Sequence, residues 1–305
     1  LSIKAAIVEK IFNHFQTIAD AVTGSKTRGE NMKSLIKTFL ATSVLALAFA
    51  APSHAQSALD KVVQSKKLRC GVMLDAPPAG FRDTNNEPDG YDVTYCKDMA
   101  KALGAEPIIV ETPSPDRIPA LVSNRIDVLI SSTTPTPARA LTVAFTQPYT
   151  NNIMTVITRK ETGITQYSDL KSRKLGGVVG TTPEQLFKEE FAKGWQKSGA
   201  TYTGYASDAE SYLALQQGKV DALLMSAGVF HALSQSGQFP EFIAAGIAPL
   251  PDFGSIAVRR DDQQFLNWAR MFVFHQVATG RWAEIYKKYY GDGPLPPLTA
   301  EGINF

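Results

Sequence analysis

Two β-α-β-α-β runs, an extended crossover between them and a proline-marked second crossing near residue 250 predict an α/β protein of two lobes joined by a two-segment hinge. The length of 305 residues agrees with this, because a domain takes about 150 residues. A composition of 44% hydrophobic and 20% charged residues is globular and excludes a disordered, collagen-like or multispanning membrane protein. The balance of 31 basic against 29 acidic residues is too even for a nucleic-acid-binding surface.

The first 55 residues stand apart from the fold. From Met32 a charged start (Lys33, Lys37) leads into the apolar run 39–51 and a small-residue end at Ala55. These are the three parts of a secretory signal peptide, expected over 32–55 with cleavage after Ala55. The run is short for a membrane span. Residues 1–31 are read as an upstream extension, with translation starting at Met32, although Ile3, Ile7, Ile11, Phe15, Ile18 and Val22 recur at helical spacing. The mature protein is therefore expected outside the cytoplasm. Residues 1–55 take six basic and three acidic groups with them, leaving 25 and 26 over 250 residues, a net charge of −1.

In the mature chain, strand-like Leu68–Met73, Pro107–Glu111 and Ile126–Ile130 alternate with helical patterns over 93–103 and 115–123. The order then restarts: Lys174–Val179, Thr201–Tyr205 and Val220–Met225 alternate with helices over 183–195 and 207–217. Lys67-Leu68 echoes Lys174-Leu175, and Arg125-Ile126-Asp127 echoes Lys219-Val220-Asp221. Pro148 to Asn152 and the β-branched run Ile153–Ile157 suit a crossover strand. Residues 248–254, with Pro249 and Pro251, are expected to break structure before a strand at Ser255–Val258. Helices over 262–279 and 281–289 then return to the first lobe. Lobe 1 is thus 56–149 with 255–305, lobe 2 is 155–249, and the hinge is 150–154 with 250–254.

Ligands in open α/β sheets sit beyond the carboxyl ends of strands. Two loops there stand out. In Ser131 to Arg139, Thr136 caps a helix beginning at Pro137; in Gly180-Thr181-Thr182-Pro183-Glu184-Gln185, a capping box on Thr182 is expected. Helix N-termini favour anions, and Arg139 adds a bidentate grip. Ser132, Thr134 and Arg139 from one lobe and Thr182 from the other predict a carboxylate cradle that closes across the cleft.

Gly90-Tyr91-Asp92-Val93, Arg117 to Leu121, Ser132-Thr133-Thr134 through Arg139, Ala144 to Tyr149 and Gly180-Thr181-Thr182 together resemble the periplasmic solute-binding proteins of polar amino-acid ABC transporters, nearly end to end over 68–290. Ser132-Thr133-Thr134 and the tail from Pro294 to Phe305 are most similar to the glutamate/aspartate-type members. The resemblance implies the bilobal periplasmic-binding-protein-like (Venus flytrap) fold and a monomer that delivers a small carboxylate or amino acid to an inner-membrane permease. It implies no cofactor, metal or nucleic acid. It also implies ligand contacts at Ser132, Thr134, Arg139, Thr181 and Thr182, with Arg117 toward the ligand side chain. The family's amine-binding aspartate falls at Ser226, a weak partner for an ammonium group. Met73 replaces a polar residue, and the aromatic walls of basic amino-acid binders fall on Ala76 and Ser114. Glu184 and Asp75 are candidates for the missing negative charge.

The rival reading is a periplasmic enzyme on the same fold, of the cyclohexadienyl or arogenate dehydratase kind, with Glu184 the best acid. His231 and His275 lack paired metal-ligand spacing, and no nucleophile elbow or phosphate loop is present. Cys70 and Cys96 are either a disulfide, which an oxidising compartment permits, or two buried thiols.

Overall fold

A mixed sheet of eight strands runs through both lobes. The computed structural model describes residues 57–299. The stretches expected to be an upstream extension (1–31) and a signal peptide (32–55), and the last residues of the tail, lie outside the described residues.

The first lobe comprises α1 (Ala58–Ser65), β1 (Lys67–Val72), a hairpin of β2 (Phe81–Arg82) and β3 (Pro88–Asp89), α2 (Tyr91–Ala102), β4 (Glu106–Glu111), α3 (Arg117–Val122), β5 (Val128–Thr133) and the single turn α4 (Pro137–Ala140). After β6 (Val143–Arg159) the second lobe brings β7 (Lys174–Val178), α5 (Thr182–Lys193), β8 (Thr201–Tyr205), α6 (Asp208–Gln216), β9 (Ala222–Ser226) and α7 (Ala227–Ser236). β10 (Phe242–Arg259) leads back to α8 (Gln263–Ala278) and α9 (Arg281–Tyr290). Those last two helices pack on the first lobe: Phe265, Phe272 and Trp282 share a core with Leu68, Tyr91 and Met99. On α2, Tyr91, Tyr95, Cys96, Met99 and Ala100 are buried at helical spacing, so one stripe of the helix faces the sheet.

Both lobes repeat one topology. β1 lies between β4 and β5, and β7 lies between β8 and β9, with all four pairings parallel. The aspartate echo has a structural basis. The Asp127 carboxylate accepts the Arg69 N–H at 3.0 Å, and the Asp221 carboxylate accepts the Lys174 N–H at 2.8 Å. This makes Arg69, not Lys67, the counterpart of Lys174. Cys70 opposite Val128 then corresponds to Leu175 opposite Ala222. The textual echo is therefore displaced by two residues, because shared Lys-Leu letters carry less than a paired backbone. Cys70 and Cys96 are joined as a disulfide that ties β1 to α2.

The expected break at 248–254 is instead part of one strand, β10, antiparallel to β6. Proline has no N–H to give to the ladder and is tolerated where the pairing is irregular. Pro249 lies in such an interval, the register shifting between Ile247 and Pro251 and again between Gly254 and Ser255. Residues 150–154 and 250–254 lie side by side here, with Asn152 opposite Asp252.

Candidate functional site

β5 ends in Ser131-Ser132-Thr133 at the edge of the cleft, and Ser132 has φ 41°, a left-handed conformation costly for a serine. Its N–H donates to the Tyr149 hydroxyl at 2.9 Å, and Tyr149 donates to Asp92 at 2.6 Å. The Ser132 hydroxyl donates to the other Asp92 oxygen at 3.3 Å. Burial raises the Asp92 carboxyl to about 7. Gly254 backs the turn closely: a Cβ there would stand 2.9 Å from Ser132 Cα.

Thr136 caps α4 as expected, accepting the Arg139 N–H at 3.2 Å. This helix is one turn only, so its part is to aim Arg139 rather than to offer a dipole. The buried Arg139 guanidinium donates to the Thr134 carbonyl and, across the cleft, to the Gly180 carbonyl, both at 2.7 Å. Gly180 holds φ +81°, which glycine adopts without strain. Burial, with Arg117 nearby, lowers Arg139 to about 10. Arg117, on α3, is also buried; it donates to the Ser114 carbonyl at 3.3 Å and the Ser131 carbonyl at 3.0 Å, and burial lowers its pKa. Neither guanidinium forms an ion pair among the described residues.

The second lobe differs from expectation by one residue. Thr181, not Thr182, caps α5: it accepts the Glu184 N–H at 3.4 Å and donates to the Val178 carbonyl at 2.7 Å. Glu184 sits at the third helical position and reaches back to the Gly180 N–H at 2.8 Å, and it also pairs with Lys188 at 3.0 Å. It is spent on the cap and does not line the cleft. Thr182 is thereby freed, and its hydroxyl donates to Asp252 at 3.2 Å. Ser226 caps α7 through the Val229 N–H at 3.3 Å, the local reason a hydroxyl residue suits that position.

Arg117, Ser132, Thr134, Arg139, Thr181, Thr182 and Ser226 all line one cavity of about 120 Å³ between the lobes. A cavity of about 150 Å³ holds a benzene, so the space suits a compact solute. Met73, Ala76 and Ser114 line it too, and Ser114 donates to the Met73 sulfur at 3.0 Å. Asp75 lies outside the cavity lining. Its carboxylate accepts the Asp208 N–H across the lobes at 3.3 Å. Burial and the Asp75 charge raise Asp208 to about 7.

Asp252 and Asp208 are cavity residues that sequence reasoning missed. Asp252 lies inside the stretch expected to break structure, and Asp208 is an acid in the first turn of α6, a common place for a solvated charge. For Asp208 the Ser207-x-x-Glu210 cap was a legible signal of the helix start, but nothing local indicated that this start faces the cleft.

The model for the bacterial extracellular solute-binding proteins, family 3, matches residues 68–292. The chain is 26% identical over 229 residues to ABC transporter arginine-binding protein 1 of Escherichia coli K12, a match covering 74% of this chain and 91% of that protein. Among solved structures, the solute receptor for L-cysteine of Neisseria gonorrhoeae superposes with a TM-score of 0.70 at 27% identity, over 77% of this chain and 93% of that one. The ancestral amino acid-binding protein AncCDT-1, a precursor of cyclohexadienyl dehydratase, superposes at 0.68 and 26%, over 77% of this chain and 100% of that one. No helix among the described residues is long and apolar enough to cross a membrane. The bilobal sheet, the cavity between the lobes and a family match spanning most of the chain lead to one conclusion: this protein belongs to the bacterial extracellular solute-binding proteins, family 3.

Proposed function

We propose that the mature chain is the periplasmic receptor of an ABC importer, capturing an amino acid or related small carboxylate between its lobes and passing it to the permease. The observation that carries this reading is the pair of buried guanidiniums, Arg117 and Arg139, lining the cavity without a carboxylate partner among the described residues. An unpaired buried cation is costly, and an anionic solute relieves that cost on binding.

In this reading Arg139, Ser132 and Thr134 meet the ligand carboxylate from the first lobe and Thr182 meets it from the second, with Thr181 positioning Thr182. Arg117 faces the ligand side chain, and Ser226 borders the amine. Residues 150–154 and 250–254 serve as the hinge between lobe 1 (56–149 with 255–305) and lobe 2 (155–249). The protein works as a monomer after removal of residues up to Ala55. The likeness to arginine- and cysteine-binding relatives supports an amino-acid ligand. Ser226 at the amine position, Ala76 and Ser114 in place of aromatic walls, and Arg117 toward the side chain disfavour lysine, arginine and histidine here.

A thermal-shift screen over amino acids, dicarboxylates and keto acids identifies the solute, since excess ligand raises the unfolding temperature. Arg139→Ala is then expected to weaken binding by about 2–5 kcal/mol in calorimetry; unchanged affinity refutes the cradle. A second reading, a dehydratase-like enzyme, draws on Asp208, a cleft acid near neutrality suited to proton transfer. Chemical conversion of a screened solute, followed by NMR, decides in its favour; recovery of the solute intact decides against it.

A further inference from the structure

Asp252 occupies an unusual position. It is 8% exposed, it stands at the middle of β10, and its carboxylate lines the cavity. One oxygen accepts the hydroxyls of Thr134 and Thr182, one from each lobe, and the other accepts the Asn152 amide at 3.2 Å. All three hydrogen-bond donors are neutral; the Arg117 and Arg139 guanidiniums across the cavity feel the Asp252 charge, but neither forms an ion pair with it among the described residues. A buried carboxylate held only by neutral donors retains a strong attraction for a cation.

We propose that Asp252 receives the ammonium group of an amino-acid ligand and so sets the preference for amino acids over simple carboxylates. The assignment rests on the amino-acid reading given above. In an α-amino acid the amine and the carboxylate are two bonds from each other, so the residue holding the amine must border the groups holding the carboxylate. Asp252 borders them directly, because it is hydrogen-bonded to Thr134 and Thr182. On binding, the two hydroxyls turn from Asp252 to the ligand carboxylate, and the ligand N–H groups replace them on Asp252. A carboxylate without an amine leaves two negative groups facing the same hydroxyls, and like charges placed together oppose binding. Ser226 lines the same cavity, but its oxygen already accepts the Val229 N–H. Asp208 lines the cavity too, but its carboxylate sits against Tyr212 and the Asp75 charge and is not hydrogen-bonded to the hydroxyls of Thr134 and Thr182.

The test is calorimetry on wild type and Asp252→Asn with the twenty common L-amino acids and L-cystine. Each is compared with the acid lacking its amino group, such as L-glutamate against glutarate. Wild type is expected to bind its preferred amino acid about a hundredfold more tightly than the deaminated acid. Asp252→Asn keeps an acceptor for the hydroxyls and is expected to lose about tenfold or more for the amino acid alone. Equal losses for both compounds, or none, overturn the assignment while leaving the carboxylate cradle standing. Should the variant fail to fold by circular dichroism, the wild-type ratio decides: a ratio near one overturns the proposal. Wild type that binds none of the amino acids overturns the reading on which it rests.

Discussion

Asp92 has its two oxygens held by Tyr149 and Ser132, and it is enclosed without a cation paired to it. Burial therefore raises its carboxyl from the usual range to about 7. A folded-state value above the unfolded one means that the folded form binds the proton more tightly. Its contribution to stability is full below about pH 4 and is lost as the pH rises to about 7. Asp92→Asn is expected to remove this slope, gaining on wild type by about 2–4 kcal/mol at pH 8 relative to pH 4; urea unfolding at both pH values checks it. The Gly90-Tyr91-Asp92-Val93 text was legible as a family mark, but the use of Asp92 to orient Ser132 was not. Its partner Tyr149 lies 57 residues away, and only packing brings the two together.

At the scale of elements, the site depends on β5 and β10 lying unusually close. A Cβ at Gly254 would stand 2.5 Å from the Thr150 methyl as well as 2.9 Å from Ser132 Cα. Gly254→Ala must push aside the Thr150 side chain of β6 and the β5 backbone at Ser132. It is expected to cost about 1–3 kcal/mol of stability and to weaken solute binding by moving Ser132, read out by chemical unfolding and calorimetry on the same sample. Caps explain which element ends were legible. Thr136 before Pro137 was read correctly. In Thr181-Thr182-Pro183 two adjacent threonines compete for the cap, and the one-residue choice decides which hydroxyl faces the cleft. The two prolines of β10 are local stop signals, whereas its continuity comes from pairing with β6, which local sequence does not record.

At the scale of the whole molecule, two hydrogen bonds among the described residues cross directly between the lobes, Arg139 to Gly180 and the Asp208 N–H to Asp75, and Asp252 on β10 gathers Thr134 from one lobe and Thr182 from the other. Each joins residues at or beside the cavity, so the contacts that hold the lobes together also shape the cavity. The Cys70–Cys96 bridge acts elsewhere, within the first lobe, and closes a loop of 26 residues. A loop of that size stabilises by about 3.5 kcal/mol in the chain-entropy picture. Reduction is therefore expected to lower the urea midpoint while leaving the cavity side chains in place, and an unchanged midpoint in dithiothreitol would refute a stabilising bridge. By itself the sequence determined the α/β class, the repeated lobes, the family and the seven cavity-lining residues named from it. Those features are written in local periodicity, caps and short motifs. Only the tertiary structure decided that Asp252 shares the cavity with Arg117 and Arg139, that Thr182 is free of the cap, and that β10 is unbroken. Each of these depends on partners far away in the chain, and a residue's local sequence carries no record of what folding sets beside it.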